Sequence, residues 1–241
     1  MLKAQKIISV FIAASVFVLC AISAYAENYS YSNTSRLVSE GKLDEAETAL
    51  IKEISLSDKN ASALSLLGEV YRKKRDYKKA VKFLNRAISA DPKYPISYIY
   101  KGKLYFSMQK FDEVAAEFDL FVDTMKPLIA DEETRDFYIS SLHDISMTYF
   151  ELKNYDRLRI VIDEILRLSP KDQTALYNLG VYYYIYERNR SRAYVYFSKV
   201  IDTDGSNPTA AKARYAIEFM RINPDARISP DFSFIDQEYR N

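Results

Sequence analysis

His143 is the single histidine among 241 residues and Cys20 the single cysteine, which narrows the chemistry open to this chain. A zinc site needs several His, Cys or carboxylate ligands, and a Ser-His-Asp triad would have to be built on His143. The surrounding Ser141-Leu142-His143-Asp144-Ile145 is no nucleophile elbow. Five glycines provide no phosphate-cradling loop. Acids cluster as Asp44, Glu45 and Glu47 and as Asp131, Glu132 and Glu133. Both clusters open an apolar periodic run, where carboxylates suit the positive end of a helix better than general acid–base work. No calcium-loop spacing occurs. The expectation is therefore a non-enzymatic chain with no catalytic residue, no metal and no cofactor. The basic turn Lys73, Lys74, Arg75, Lys78 and Lys79 reads as a solvated edge. Four tyrosines in Tyr182-Tyr183-Tyr184-Ile185-Tyr186 form the most unusual run.

Something must position these residues, and the chain start is read first. Lys3 and Lys6 precede an uncharged, mostly apolar run from Ile7 to Ile22, and Ala24-Tyr25-Ala26 has the small-x-small form of a cleavage site. The run is shorter than the ~20 residues a spanning helix wants. Residues 1–26 are thus expected to be an export signal, giving a periplasmic or secreted protein; the alternative is an uncleaved N-terminal anchor. Bulky Phe17-Val18-Leu19 before Cys20 argue against lipidation. Loss of this segment turns the formal charge from +1 to −1 and removes the only cysteine. Near-neutral charge argues against nucleic acid as the partner. With no disulfide available, stability must come from an apolar core.

Self-similarity organises the remainder. Between Ala63 and Pro92 stand Leu64, Leu67, Gly68 and Tyr71, then Ala80, Leu84 and Ala87. Later come Tyr98, Gly102, Tyr105, Val114 and Phe118, then Leu142, Ser146, Tyr149, Leu158 and Ile162. Leu176, Leu179, Gly180 and Tyr183 follow, with Ala193 and Phe197 displaced by one; earlier lie Ala46 and Leu50. These residues and spacings resemble the tetratricopeptide repeat, in the form found in exported bacterial proteins. The resemblance implies an all-α, right-handed superhelical solenoid of about five helix hairpins. A C-terminal capping helix and tail complete it.

Residues 27–128 are assigned to units one to three and 139–207 to units four and five. The ten extra residues 129–138 are read as extending a helix, 208–223 as the capping helix and 224–241 as the tail. Gly68 and Ala80 are expected where two helices cross closely. In the capping helix, Ala210, Ala213, Ile217 and Met220 form the inner stripe. The tail is read as folding over Tyr215 and Phe219, the alternative being a disordered, partner-seeking tail.

In this family, stacked first helices line a groove that holds a partner's peptide or helix. The matching positions here begin polar, with Ser62, Ser65, Glu69, Arg72 and Lys73, and turn apolar toward the C-terminus. Ile99, Phe106, Phe150, Tyr177, Val181 and Tyr184 are the expected partner-binding residues, lying beside the buried stripe. Ser65 and Glu69 do not match the lysine and asparagine with which chaperone-binding members clamp a carboxylate. The implied function is a protein-binding scaffold of an envelope, secretion or pilus assembly, taking an apolar or amphipathic partner segment. The alternative is a lipid or small-molecule carrier.

Overall fold

The computed structural model describes residues 33–222, which fall into two compact units divided between Lys126 and Pro127. Residues 1–32, which include the expected export signal, and the expected tail beyond Ile222 lie outside the described residues. The first unit contains α1 (33–39), α2 (Leu43–Leu56), α3 (Ala61–Lys73), α4 (Tyr77–Ala90), α5 (Pro95–Ser107) and α6 (Phe111–Met125). The second contains α7 (Glu132–Glu151), α8 (Tyr155–Leu168), α9 (Gln173–Ile185), α10 (Arg190–Thr203) and α11 (Pro208–Ile222). The described residues contain no strand. None of their helices is long and apolar enough to cross a membrane.

Local chemistry sets the helix ends. Asn60, Asp76, Asn154, Asp172 and Asn189 cap α3, α4, α8, α9 and α10, each accepting a hydrogen bond from the backbone N–H three residues on. Such caps contribute about 1 kcal/mol each. Asp131 and Thr134 form a reciprocal capping box at α7, which is 20 residues long against 13 for α3. Pro95 and Pro208 occupy first turns, where a missing N–H costs nothing.

The turn inside each helix pair repeats one device. The residue before the second helix's cap is left-handed: Gly41 (φ 77°), Arg75 (62°), Gln109 (60°), Lys153 (54°) and Arg188 (53°). The next N–H then donates back into the first helix, from Lys42 to Leu37, Asp76 to Tyr71, Lys110 to Tyr105, Asn154 to Tyr149 and Asn189 to Tyr183. This is the Schellman closure, which satisfies a carbonyl the helix end would otherwise orphan. In the last pair the bond spans one residue more, so the additional residue of that turn is absorbed without disturbing Tyr183.

Within the pairs, small residues meet large ones. A Cβ built on Gly68 would lie 2.6 Å from Leu84, on Gly102 2.3 Å from Phe118, and on Gly180 2.6 Å from Phe197. The backbones of α3, α5 and α9 therefore each rest on one bulky side chain of the following helix. The close approach to each glycine falls on Leu84 or its equivalent. The repeated tyrosines pack alike: Tyr71 stacks on Phe83 at 5.4 Å and 14°, and Tyr183 on Tyr196 at 5.2 Å and 11°. Each hydroxyl reaches the preceding helix pair by the same spacing. Tyr71 donates to Glu47 Oε1 (2.6 Å), whereas Tyr183 accepts from Arg159 Nη1 (2.7 Å). A phenol can do either. Burial, together with the bond to Glu47, pushes the Tyr71 phenol up to about 12.

In α11 the buried stripe is Ala210, Ala213, Ala216 and Met220. Ala216 takes the inner place expected for Ile217, which is half-buried. Tyr215 and Phe219 form a ring pair at 6.4 Å.

Candidate functional site on the first-helix faces

In the first unit the polar face of α3 is bound to its neighbours. Ser65 and Ser97 hydroxyls meet at 2.7 Å, both fully buried. Glu69 accepts two bonds from Arg72, at 2.6 and 2.7 Å, and Arg72 Nη1 also donates to Ser107 on α5. The hydrogen bonds to Glu69 raise the Arg72 guanidinium above its ordinary value. Ser65, Glu69 and Arg72 thus join α3 to α5. On α5, Ile99 is 4% exposed, while Phe106 is half-buried with its ring 6.2 Å from Phe111.

In the second unit His143 Nε2 lies 3.0 Å from Asp172 Oδ2. Ionised Asp172 can only accept, so Nε2 carries the proton. Burial works against the Asp172 charge. The hydrogen bonds from His143 and from the Ala175 and Thr174 amides outweigh it and hold the carboxyl below its usual range. His143 therefore anchors the N-cap of α9 to α7. Nothing in this pair resembles an activated nucleophile. Among the described residues, no group of three or more His, Cys or acidic residues is placed to hold a metal.

Nearly every residue of α9 from Ala175 to Tyr184 is buried, Asn178 excepted. Tyr177 packs on Phe197 with centroids 5.4 Å apart. Tyr182 contacts Tyr183 and Tyr186, at 5.5 and 5.4 Å, and Tyr186 lies 5.0 Å from Tyr155 on α8. Arg159 sits 5.6 Å above the Tyr182 ring and 5.3 Å above that of Tyr183. Three of the four tyrosines in the run are thus accounted for by packing onto α8 and α10. Tyr184 differs, because its hydroxyl is buried without a hydrogen-bond partner among the described residues. A buried orphan hydroxyl costs about 1–3 kcal/mol. Tyr184→Phe is accordingly expected to raise stability by about 1 kcal/mol in urea melts; a loss of stability would mean that the hydroxyl has a partner.

The sequence of one helix pair supplies the decisive comparison: residues 61–94 match the tetratricopeptide repeat family. That helix pair is one tetratricopeptide repeat by its sequence. Solved tetratricopeptide-repeat structures share the fold. YrrB, described as a TPR protein with an unusual peptide-binding site, is 20% identical, with a TM-score of 0.54 covering 77% of this chain and 90% of that one. The pilF protein of Pseudomonas aeruginosa is 15% identical at a TM-score of 0.59, covering 88% and 96%. MamA from Desulfovibrio magneticus RS-1 is 16% identical at 0.55, covering 73% and 94%. At such identities the likeness is one of fold. No curated protein matches the chain.

The tetratricopeptide-repeat register locates the six expected partner-binding residues but corrects their environment. Ile99, Tyr177, Val181 and Tyr184 are buried, none more than 9% exposed, and do not stand free beside the stripe. Phe106 and Phe150 are half-buried. What stands out on α7 is Met147, 47% exposed, and Phe137, 40% exposed. Phe137 falls within the ten extra residues, where no repeat position predicts a surface role.

Proposed function

We infer that this protein is a non-enzymatic protein–protein interaction scaffold of the periplasm or cell envelope, whose first-helix face takes an apolar or amphipathic segment of a partner protein. The observation that carries this reading is Met147. It projects from α7 beside half-buried Phe150, while α7 spends Leu142, Ile145, Ser146 and Tyr149 on its buried side. Flexible, polarizable Met side chains suit adaptable binding surfaces, and grouped exposed apolar side chains mark interaction sites. Repeat solenoids use extended surfaces for binding, and the peptide-binding site described for YrrB is a precedent within the fold. Export rests on the basic, apolar and small-residue pattern of residues 1–26.

The lipid or small-molecule reading ranks second. Surface depressions of 440 and 420 Å³ are lined largely by polar and charged residues. Neither includes Phe150, Tyr177, Val181 or Tyr184.

The test is a photocrosslinking side chain at position 147 in the native host, with position 160 as a control on an exposed residue of α8. A protein adduct at 147 and none at 160 is the expected result. A lipid adduct alone would transfer the face to the second reading, and no adduct at 147 would sink both. The recovered protein should begin Glu27-Asn28-Tyr29; a chain starting at Met1 and held in the membrane would replace export by anchoring.

A further inference from the structure

The outer surface of the first unit carries two oppositely charged rows of similar length. α4 spans 14 residues and contains Lys78, Lys79, Lys82 and Arg86 with no acid. α6 spans 15 residues with no base and, apart from buried Glu117, carries Asp112, Glu113, Asp119 and Asp123. Lys78, Lys79 and Lys82 are exposed, as are Asp112, Glu113, Asp119 and Asp123. Among the described residues only Lys79 of the α4 row has a carboxylate within reach, Asp76 at 3.4 Å. No ion pair described joins α4 to α6, so the two rows do not neutralise each other through contacts.

The geometry points to head-to-tail self-association, in which the cationic α4 row of one molecule docks on the acidic α6 row of a second copy. A flat anionic surface such as a bilayer suits the α4 row poorly. The turn leading into α4 is tied to α2 by Lys74, which bridges Asp44 and Glu47, and the Asp44 side chain is 93% exposed. A plane of negative charge meeting α4 would meet those acids too. A narrow acidic strip avoids them, and α6 of another copy is such a strip. Its exposed Leu120, between Asp119 and Asp123, supplies an apolar knob. Two different patches meet in this contact, so it is heterologous and can extend into chains. One helix row against another falls below the roughly 1,200 Å² of a stable interface, so the association is weak and salt-sensitive.

The experiment is sedimentation velocity on the naturally processed protein. Mass should rise with concentration in about 30 mM salt, and association should weaken at least ten-fold at about 300 mM, where the screening length has shrunk to a few ångströms. Lys78→Gln/Lys82→Gln/Arg86→Gln and Asp112→Asn/Glu113→Gln/Asp123→Asn should each be monomeric. Their equal mixture should form dimers and stop there, since each retains only one live face. A parent that is monomeric at low salt overturns the proposal, as does association unmoved by salt or by neutralisation, or a mixture that stays monomeric. Binding of the parent to phosphatidylglycerol vesicles without self-association assigns the α4 row to lipid and equally overturns it.

Discussion

Gly102→Ala and Gly180→Ala are expected to lower stability by about 1–2 kcal/mol, and Gly180→Leu by about 3, although each replaces a poor helix former with a better one. Helix propensity alone favours the Ala variants by about 1 kcal/mol. Overpacking opposes it by ~1–3 kcal/mol and more for a larger side chain. The geometry decides the contest. The new Cβ would stand 2.3 Å from Phe118 Cε1 or 2.6 Å from Phe197 Cε1, and both rings are buried, at 1% and 0% exposure. Neither ring can step aside without moving its helix. Urea melts check the loss, and hydrogen exchange should show it concentrated in α5 and α6 or in α9 and α10, because repeat stability is local. Shortening the opposing ring, as in Gly102→Ala/Phe118→Leu, should cost less than the sum of the two changes. The fourth helix pair already uses such a combination, with Ser146 where α3, α5 and α9 have glycine and Ile162 where α6 and α10 have phenylalanine. Variants that melt like the parent would show that the two helices do not cross where these contacts place them.

Lys101→Met should cost about 3 kcal/mol, which places it with the largest single-site losses. Lys101 Nζ lies 2.9 Å from Glu117 Oε1, with side chains 16% and 10% exposed. The other carboxylate oxygen, Oε2, is buried with no hydrogen-bond partner among the described residues. Removing the cation strands a buried charge already half-satisfied, and breaking such pairs costs about 3–5 kcal/mol. The lower figure applies here because the pair keeps some solvent. Replacing both partners, as in Lys101→Met/Glu117→Leu, should recover most of the loss, since the expense lies in the abandoned carboxylate. If the single and double variants lose equally, the pair is not what holds α5 to α6 at this point.

Much of the architecture was legible in the residues. The glycine, serine and tyrosine spacings placed the helix pairs, and the turn bonds to Leu37, Tyr71, Tyr105, Tyr149 and Tyr183 reproduce that register. Legibility failed at the expected binding face. The residues chosen there were those flanking the buried stripe, on the assumption that a helix has one inner side. α9 violates the assumption, being buried nearly all round, and so Tyr177, Val181 and Tyr184 are covered.

Periodicity by itself determined which residues face inward within a helix pair, because an α-helix returns a side chain to the same face every three or four residues. It also marked Gly68 as a place where two helices cross closely, a contact settled within one repeat. Only the tertiary structure decided the uses of the polar positions. Ser65 pairs with Ser97 across 32 residues, His143 with Asp172 across 29, and Lys101 with Glu117 across 16, each joining different helices. Such a pair depends on which side chains the fold brings within about 3 Å, and a repeat pattern carries no record of that distance.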